Sequence, residues 1–214
     1  MERTQLMRIT AVSSPFNSRN TLWRSLSSLA RQNVPVSLRM LDNGSTDGTE
    51  WWITTDRFKK NLAEIGLHTV RILPPIPAKA ILISKNMRRN KHLEHQLAKA
   101  AYELRGDPPD AILWLQADVL MPDGALKAMV EAMDAEPRLG GVGIIHRDEV
   151  VDHVRMGCTL YRWEPFAELA EIGFFSDGCP CRWMHRNMEK NGWTLRNVDG
   201  VIGTHLGAET AEGK

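Results

Sequence analysis

Cysteine is scarce in this chain, three residues in 214, and so small and odd a count excludes a disulfide-stapled scaffold. Long apolar runs are missing as well. No stretch approaches the roughly 20 residues needed to cross a bilayer, and the opening MERTQLMRIT has no apolar signal-peptide core. A cytoplasmic protein with no membrane segment of its own is therefore expected. Neither sign of charge is in excess: 27 basic against 26 acidic residues leave +1, so only a local basic patch would hold a polyanion. Glycine is absent from SSPFNSRN, residues 13–20. That removes the glycine-rich phosphate loop of a nucleotidyltransferase and the G-x-G-x-x-G turn of a dinucleotide-dependent oxidoreductase. GGVG at 140–143 has neither that pattern nor that place.

What is present is ordinary globular composition, 43% hydrophobic and 25% charged, without repeat, linker or low-complexity block, which points to one domain. Strand and helix patterns alternate along it. LMRITAVSS (6–14) reads as a buried strand, and 18–32 places Leu22, Leu26 and Leu29 at helical spacing. PVSLRMLD (35–42) is a second strand and 49–62 a second helix, with Trp51 and Trp52 near its start. HTVRIL (68–73) is a third strand, closed by Pro74, Pro75 and Pro77. Residues 84–104 are helical, AILWLQAD (111–118) is a strand, and Pro122 stands at the first position of a helix running to about 134. Such a series implies an α/β fold, a mostly parallel sheet with helices on both faces. After Pro137 the pattern changes: LGGVGIIHR and VRMGCTLYRW read as strands, followed by short helices and a strand pair near 193–206.

In open parallel sheets ligands bind outside the carboxyl ends of the strands. MLDNGSTDGT, residues 40–49, sits at such an end, with Asp42 emerging from the second strand where its carboxylate can accept hydrogen bonds from a base or ribose. Gly44 and Gly48 permit tight turning, while Ser45, Thr46 and Asp47 can cap the next helix. A well-capped strand-to-helix loop is the alternative reading of the same residues. The first strand ends in SSPFN, bringing Phe16 and Asn17 to the same rim, where an aromatic ring can stack on a nucleobase. The fourth ends in LQADVLMP, which delivers Asp118, a suitable ligand for a divalent cation bridging a diphosphate. FFSDGCPCRWMH adds Asp177, and VIGTHLG adds His205.

Taken in this order, these residues resemble the family 2 glycosyltransferases with the GT-A fold, over about residues 6–206. Pro15, Phe16 and Asn17 match the end of that family's first strand. Asp42, Gly44, Ser45, Asp47 and Thr49 match its D-x-G-S-x-D-x-T in full, and EKNGW (189–193) matches the end of the helix that follows its catalytic base. The resemblance implies a GT-A type α/β domain over 1–214, with a Rossmann-like sheet and a variable C-terminal acceptor region. About 6–136 would bind the nucleotide sugar, about 137–206 would hold the acceptor and the base, and 207–214 would form a tail. It implies a metal-dependent inverting glycosyltransferase that moves a sugar from a UDP-sugar donor to a hydroxyl of a glycan acceptor. Ser14, Pro15, Phe16, Asp42, Asn43, Ser45 and Gln116 would bind the nucleotide, Asp118 and His205 would hold Mn²⁺ or Mg²⁺, and Asp177 would be the base. Two departures stand out: the D-x-D motif reads Gln116-Ala117-Asp118, and the acidic pair reads Ser176-Asp177. An amide can still hydrogen-bond a sugar or ribose, and one carboxylate suffices for a base.

Other features leave alternatives open. Arg88, His92, His95 and Lys99 line one face of the 84–104 helix, opposite Leu93, Leu97, Ala100 and Leu104, with Lys85 and Arg89 thickening the basic stripe. Lys85, Arg88, Arg89 and His92 are candidate contacts to an anion or acceptor, against the plain reading of a solvated helix face. They keep a DNA base, as in phage-type DNA glycosyltransferases, as an alternative acceptor. The departures at Gln116 and Ser176 keep a non-catalytic nucleotide-sugar binder as another alternative. Asp177 could instead be a helix N-cap before Pro180, and His205 a loop histidine. Cys179, Cys181 and His185, with Cys158, could bind zinc, although C-x-C is not the usual knuckle spacing. Trp51, Trp52 and Trp114 are expected to pack, and Trp163 and Trp183 to flank the acceptor, where an indole face can stack on a sugar.

Overall fold

The computed structural model describes residues 6–73, 90–146, 154–172 and 179–206. Four parallel strands form one half of its sheet: β1 (Ile9–Ser13), β2 (Val36–Leu41), β3 (Val70–Leu73) and β4 (Ala111–Leu115). Strands covered on both faces have no polar side to show, so they read as continuous apolar runs. In β4, Ala111, Leu113 and Leu115 point into one core while Ile112 and Trp114 point into the other.

Helices α1 (Leu22–Ala30), α2 (Thr49–Thr54), α3 (Asp56–Glu64) and α5 (Ala125–Ala135) supply the first core, through Leu26, Ile53, Phe58 and Met129 among others. The second core lies under α4 (Asn90–Leu104), α6 (Trp163–Ile172) and α7 (Pro180–Lys190), through Leu97, Phe166 and Met184. The remaining strands are β5 (Val119–Leu120), β6 (Leu139–His146), β7 (Cys158–Arg162) and β8 (Thr194–His205). The sheet order is β3-β2-β1-β4-β7-β6-β8-β5. Antiparallel β7 joins the parallel half to the rest, so both halves of the chain share one sheet. No helix among the described residues is long and apolar enough to cross a membrane.

Several elements differ from the sequence expectations, each for a local reason. The 49–62 helix is two helices, because Thr55 is extended (φ −67, ψ 144) and its hydroxyl accepts the Phe58 amide, capping α3. Pro122 lies ahead of its helix rather than in the first position. Gly124, left-handed at φ +80, is the N-cap of α5, and the Pro122 carbonyl accepts the Ala125 amide. The expected strand pair near the end is one long strand, β8. It irregularly accommodates residues 198–201 between its partners Asn197 and Ile202, with Gly200 at φ +72. Trp114 is buried and Trp52 meets Phe58 edge-on at 4.6 Å, but Trp51 is 67% exposed and packs in neither core. The glycines of GGVG serve packing: a Cβ on Gly143 would stand 2.6 Å from Val154 Cγ1.

Candidate functional site

The loops after β1 and β2 are stitched into one body at the carboxyl rim of the sheet. Asn43 donates its amide to the Pro15 carbonyl at 3.0 Å, Asn17 its amide to Ser45 Oγ at 3.0 Å, and Thr46 its amide to Asn17 Oδ1 at 2.7 Å. Asn17 adopts φ 49 to make this link, a conformation that asparagine tolerates better than most side chains. Ser18 donates to Thr49 Oγ1 at 3.2 Å, which ties the start of α2 to the same body. Burial pushes the Asp47 carboxyl up, but hydrogen bonds from the Thr49 hydroxyl and amide and from the Arg19 amide outweigh it, so its pKa lies below the ordinary value.

Asp42 is 2% exposed and holds the turn from within. Its Oδ2 accepts the amides of Gly44 and Ser45 at 2.8 and 2.9 Å, and its Oδ1 accepts the Ser45 hydroxyl at 2.6 Å. Loop construction is thus the direct task of this carboxylate, with any ligand contact left to its second lone pairs. The capped-loop reading and the binding reading therefore describe the same residue. Asp42→Ala is expected to destabilise the fold by about 1–3 kcal/mol, the cost of leaving buried donors unmet, and to weaken UDP binding in parallel. Urea unfolding and titration calorimetry of the one variant test both, and unchanged stability would refute the structural role.

Phe16, in the loop after β1, is 54% exposed. At the ends of β1 and β2, Ser13 Oγ, Ser14 Oγ and Asn43 Oδ1 are buried with no hydrogen-bond partner among the described residues. Three such orphans at adjoining strand ends are costly unless a ligand or water meets them. Ser13 was not apparent as a site residue in the sequence. Its signal is a hydroxyl closing a mostly apolar strand at the rim.

On the other side of β1, the chain leaves β4 at Gln116, whose amide donates to the Gly157 carbonyl at 2.9 Å and so continues the pairing of β4 with β7. A turn at Ala117-Asp118 leads into β5, which pairs antiparallel with the end of β8, Val119 opposite His205. This pairing brings Asp118 Oδ2 to 3.4 Å from His205 Nε2, both side chains about one-third exposed. The Leu206 amide donates to the Asp118 carbonyl at 2.7 Å and fixes the junction. A carboxylate and an imidazole at this separation suit one divalent cation bound by both.

Comparison of the sequence with known protein families and with curated proteins finds no match. Solved structures do match in three dimensions. The mannosyltransferase PcManGT from Pyrobaculum calidifontis, in complex with GDP-Man and Mn²⁺, aligns over 95% of this chain with a TM-score of 0.70 and 19% identity. TarS 1-349 of S. aureus in complex with UDP-GlcNAc aligns over 94% with a TM-score of 0.64 and 14% identity. GalNAc-T7 with UDP, GalNAc and Mn²⁺ aligns over 95% with a TM-score of 0.66 and 11% identity. The chain has the GT-A fold. It spans 58%, 61% and 44% of the length of these three GT-A structures, so their whole-protein activities are not thereby its own.

Within the GT-A frame, the remaining expected site residues fall in different places. Lys85, Arg88, Arg89 and Asp177 lie outside the described residues, as does the side chain of His92. Of the basic stripe only Lys99 is described, half-buried, while Leu97, Ala100 and Leu104 are buried as expected. Trp163 donates its amide to the carbonyl of Asp110, just before β4 begins. That is the amino end of the strand, so the structure removes Trp163 from the rim. Trp183 lies in the first turns of α7 and packs against the second core. The N-cap of α7 is Cys179, with Pro180 in the first turn; the alternative reading of Asp177 as a helix cap lies outside the described residues. Among the described residues no three metal-ligating side chains come together. Cys158 is buried in β7, and His185 Nε2 faces Glu189 at 3.3 Å, which gives the zinc reading no support.

Proposed function

We propose that this chain is an inverting glycosyltransferase of family 2 type that binds a UDP-sugar at the carboxyl rim and transfers the sugar to a hydroxyl of a glycan. The observation that carries the reading is the convergence of Asp118 and His205, 3.4 Å apart, beside a rim with unmet buried polar atoms. Phe16 would stack on the base, and the Asp42–Ser45 turn, with Ser14, Pro15 and Asn43, would face the base and ribose. The Gln116 side chain, which makes no hydrogen bond among the described residues, would reach the ribose or sugar in place of a carboxylate. Asp118 and His205 would hold Mn²⁺ or Mg²⁺, whose charge neutralises the departing diphosphate. Asp177 would take the proton from the attacking hydroxyl. That assignment rests on its match to the family's acidic position.

A thermal-shift panel tests the donor site. A UDP-sugar at about 100 times its Kd adds roughly 2.7 kcal/mol to stability, so the unfolding midpoint is expected to rise with a UDP-sugar plus Mn²⁺ and to rise less with chelator present. GDP-sugars serve as the specificity control, and mass spectrometry of candidate oligosaccharides then reads transfer. No shift with any nucleotide would overturn the reading.

A further inference from the structure

The CPC motif plays no part in the proposed transfer, yet its two thiols meet at the first turn of α7. Cys179 is exposed and caps the helix in an extended conformation (φ −78, ψ 116), without a side-chain capping hydrogen bond. Pro180 follows in the first turn. The sulfur of Cys181, less exposed, accepts the Met156 amide at 3.4 Å. A hydrogen bond to Cys179, and then burial, push the Cys181 thiol well above the ordinary range, so it keeps its proton. Cys179 stands at the helix N-terminus, exposed to an incoming oxidant and hydrogen-bonded to Cys181.

Geometry permits a bond between them. Residues two apart have Cα atoms at most about 7 Å from one another even when fully extended, and the helical turn after Cys179 shortens that span. A disulfide spans roughly 4.4–6.8 Å between Cα atoms. We propose that Cys179 and Cys181 form a reversible dithiol–disulfide pair, with Cys179 as the exposed nucleophile and Cys181 as the resolving thiol, oxidised by a hydroperoxide. In the first step the Cys179 thiolate attacks the peroxide: an S–O bond forms, the O–O bond breaks, and the leaving hydroxide takes a proton to become water. In the second the Cys181 sulfur attacks the sulfenic acid: an S–S bond forms, the S–O bond breaks, and the oxygen leaves as water with the Cys181 proton. Two thiols lose two electrons, and one hydrogen peroxide becomes two waters. A ring closed over a single intervening residue is strained, which places the bond among the easily reduced disulfides rather than the structural ones.

The test uses the intact protein, treated with hydrogen peroxide, then denatured and alkylated. The peptide containing Cys179 and Cys181 is expected to be lighter by two hydrogens and unalkylated, and to regain both alkyl groups after dithiothreitol. Buried Cys158 is the internal control and should alkylate throughout. In Cys181→Ser the sulfenic acid at Cys179 should persist, trapped by dimedone several-fold more than in the wild type. Full alkylation of both cysteines after peroxide, equal trapping in wild type and variant, or a Cys179 disulfide between molecules would each overturn the pair.

Discussion

Asp177→Asn is expected to abolish transfer while leaving donor affinity as it was. A general base acts only once the acceptor hydroxyl begins to lose its proton, so its removal touches the transition state and not the bound UDP-sugar. Loss of such a base typically lowers the rate by about 10² to 10⁴. The amide is nearly isosteric and cannot accept the proton. Asparagine is as good a helix-capping residue as aspartate, so the exchange leaves any capping role intact. Steady-state kinetics and calorimetry on the one variant separate the outcomes. Near wild-type kcat would remove Asp177 from the mechanism, and with it the ground for calling the reaction inverting. A wild-type protein that binds the donor and never turns it over would instead mark a binding protein.

Asp118→Asn and His205→Ala are each expected to remove the response of donor binding to Mn²⁺. Even the groups that merely orient metal ligands are worth about 10 to 100-fold in affinity, so losing a ligand should cost at least that much. Asp118 lies in the turn before β5 and His205 ends β8, and the β5–β8 pairing brings the two together. Each variant therefore leaves the other residue in place as its own control. UDP-sugar affinity should fall to the value that wild type shows in chelator and no further. If Mn²⁺ still tightens donor binding in either variant, that residue is not a ligand.

Much of the fold was legible because burial on both faces writes itself into composition: β4 is an unbroken apolar run whose residues divide between two cores, and the apolar residues of β1 divide in the same way. The MLDNGSTDGT turn was legible because its polar density exceeds what a plain connection needs, and the structure shows that surplus stitching two loops together. Other features depend on contacts that periodicity cannot carry. A single threonine hydroxyl splits the second helix, although Thr55 followed by Asp56 is a readable start signal. Trp163 looked like an acceptor platform by its chemistry, but the antiparallel run of β7 carries it to the wrong end of the sheet. The meeting of Asp118 with His205 was anticipated from the order of motifs and not from their spacing, since the strand pairing that joins them leaves no periodic trace.

The irregular stretch of β8 sets which way its histidine looks. Between Gly143 and Ile145, β6 advances two residues and so returns to the same face, while β8 advances five, from Asn197 to Ile202. Two is even and five is odd, so residues 198–201 invert the alternation of everything after them. Without that inversion, the side chain paired beside Val119 would turn to the opposite face of the sheet. Where β8 resumes its pairing after this short detour thus decides whether the His205 imidazole lies beside Asp118. Residues 198–201 are unpaired in the ladder, so related chains can vary their number as well as their chemistry as long as Ile202 and Gly203 keep their partners on β6.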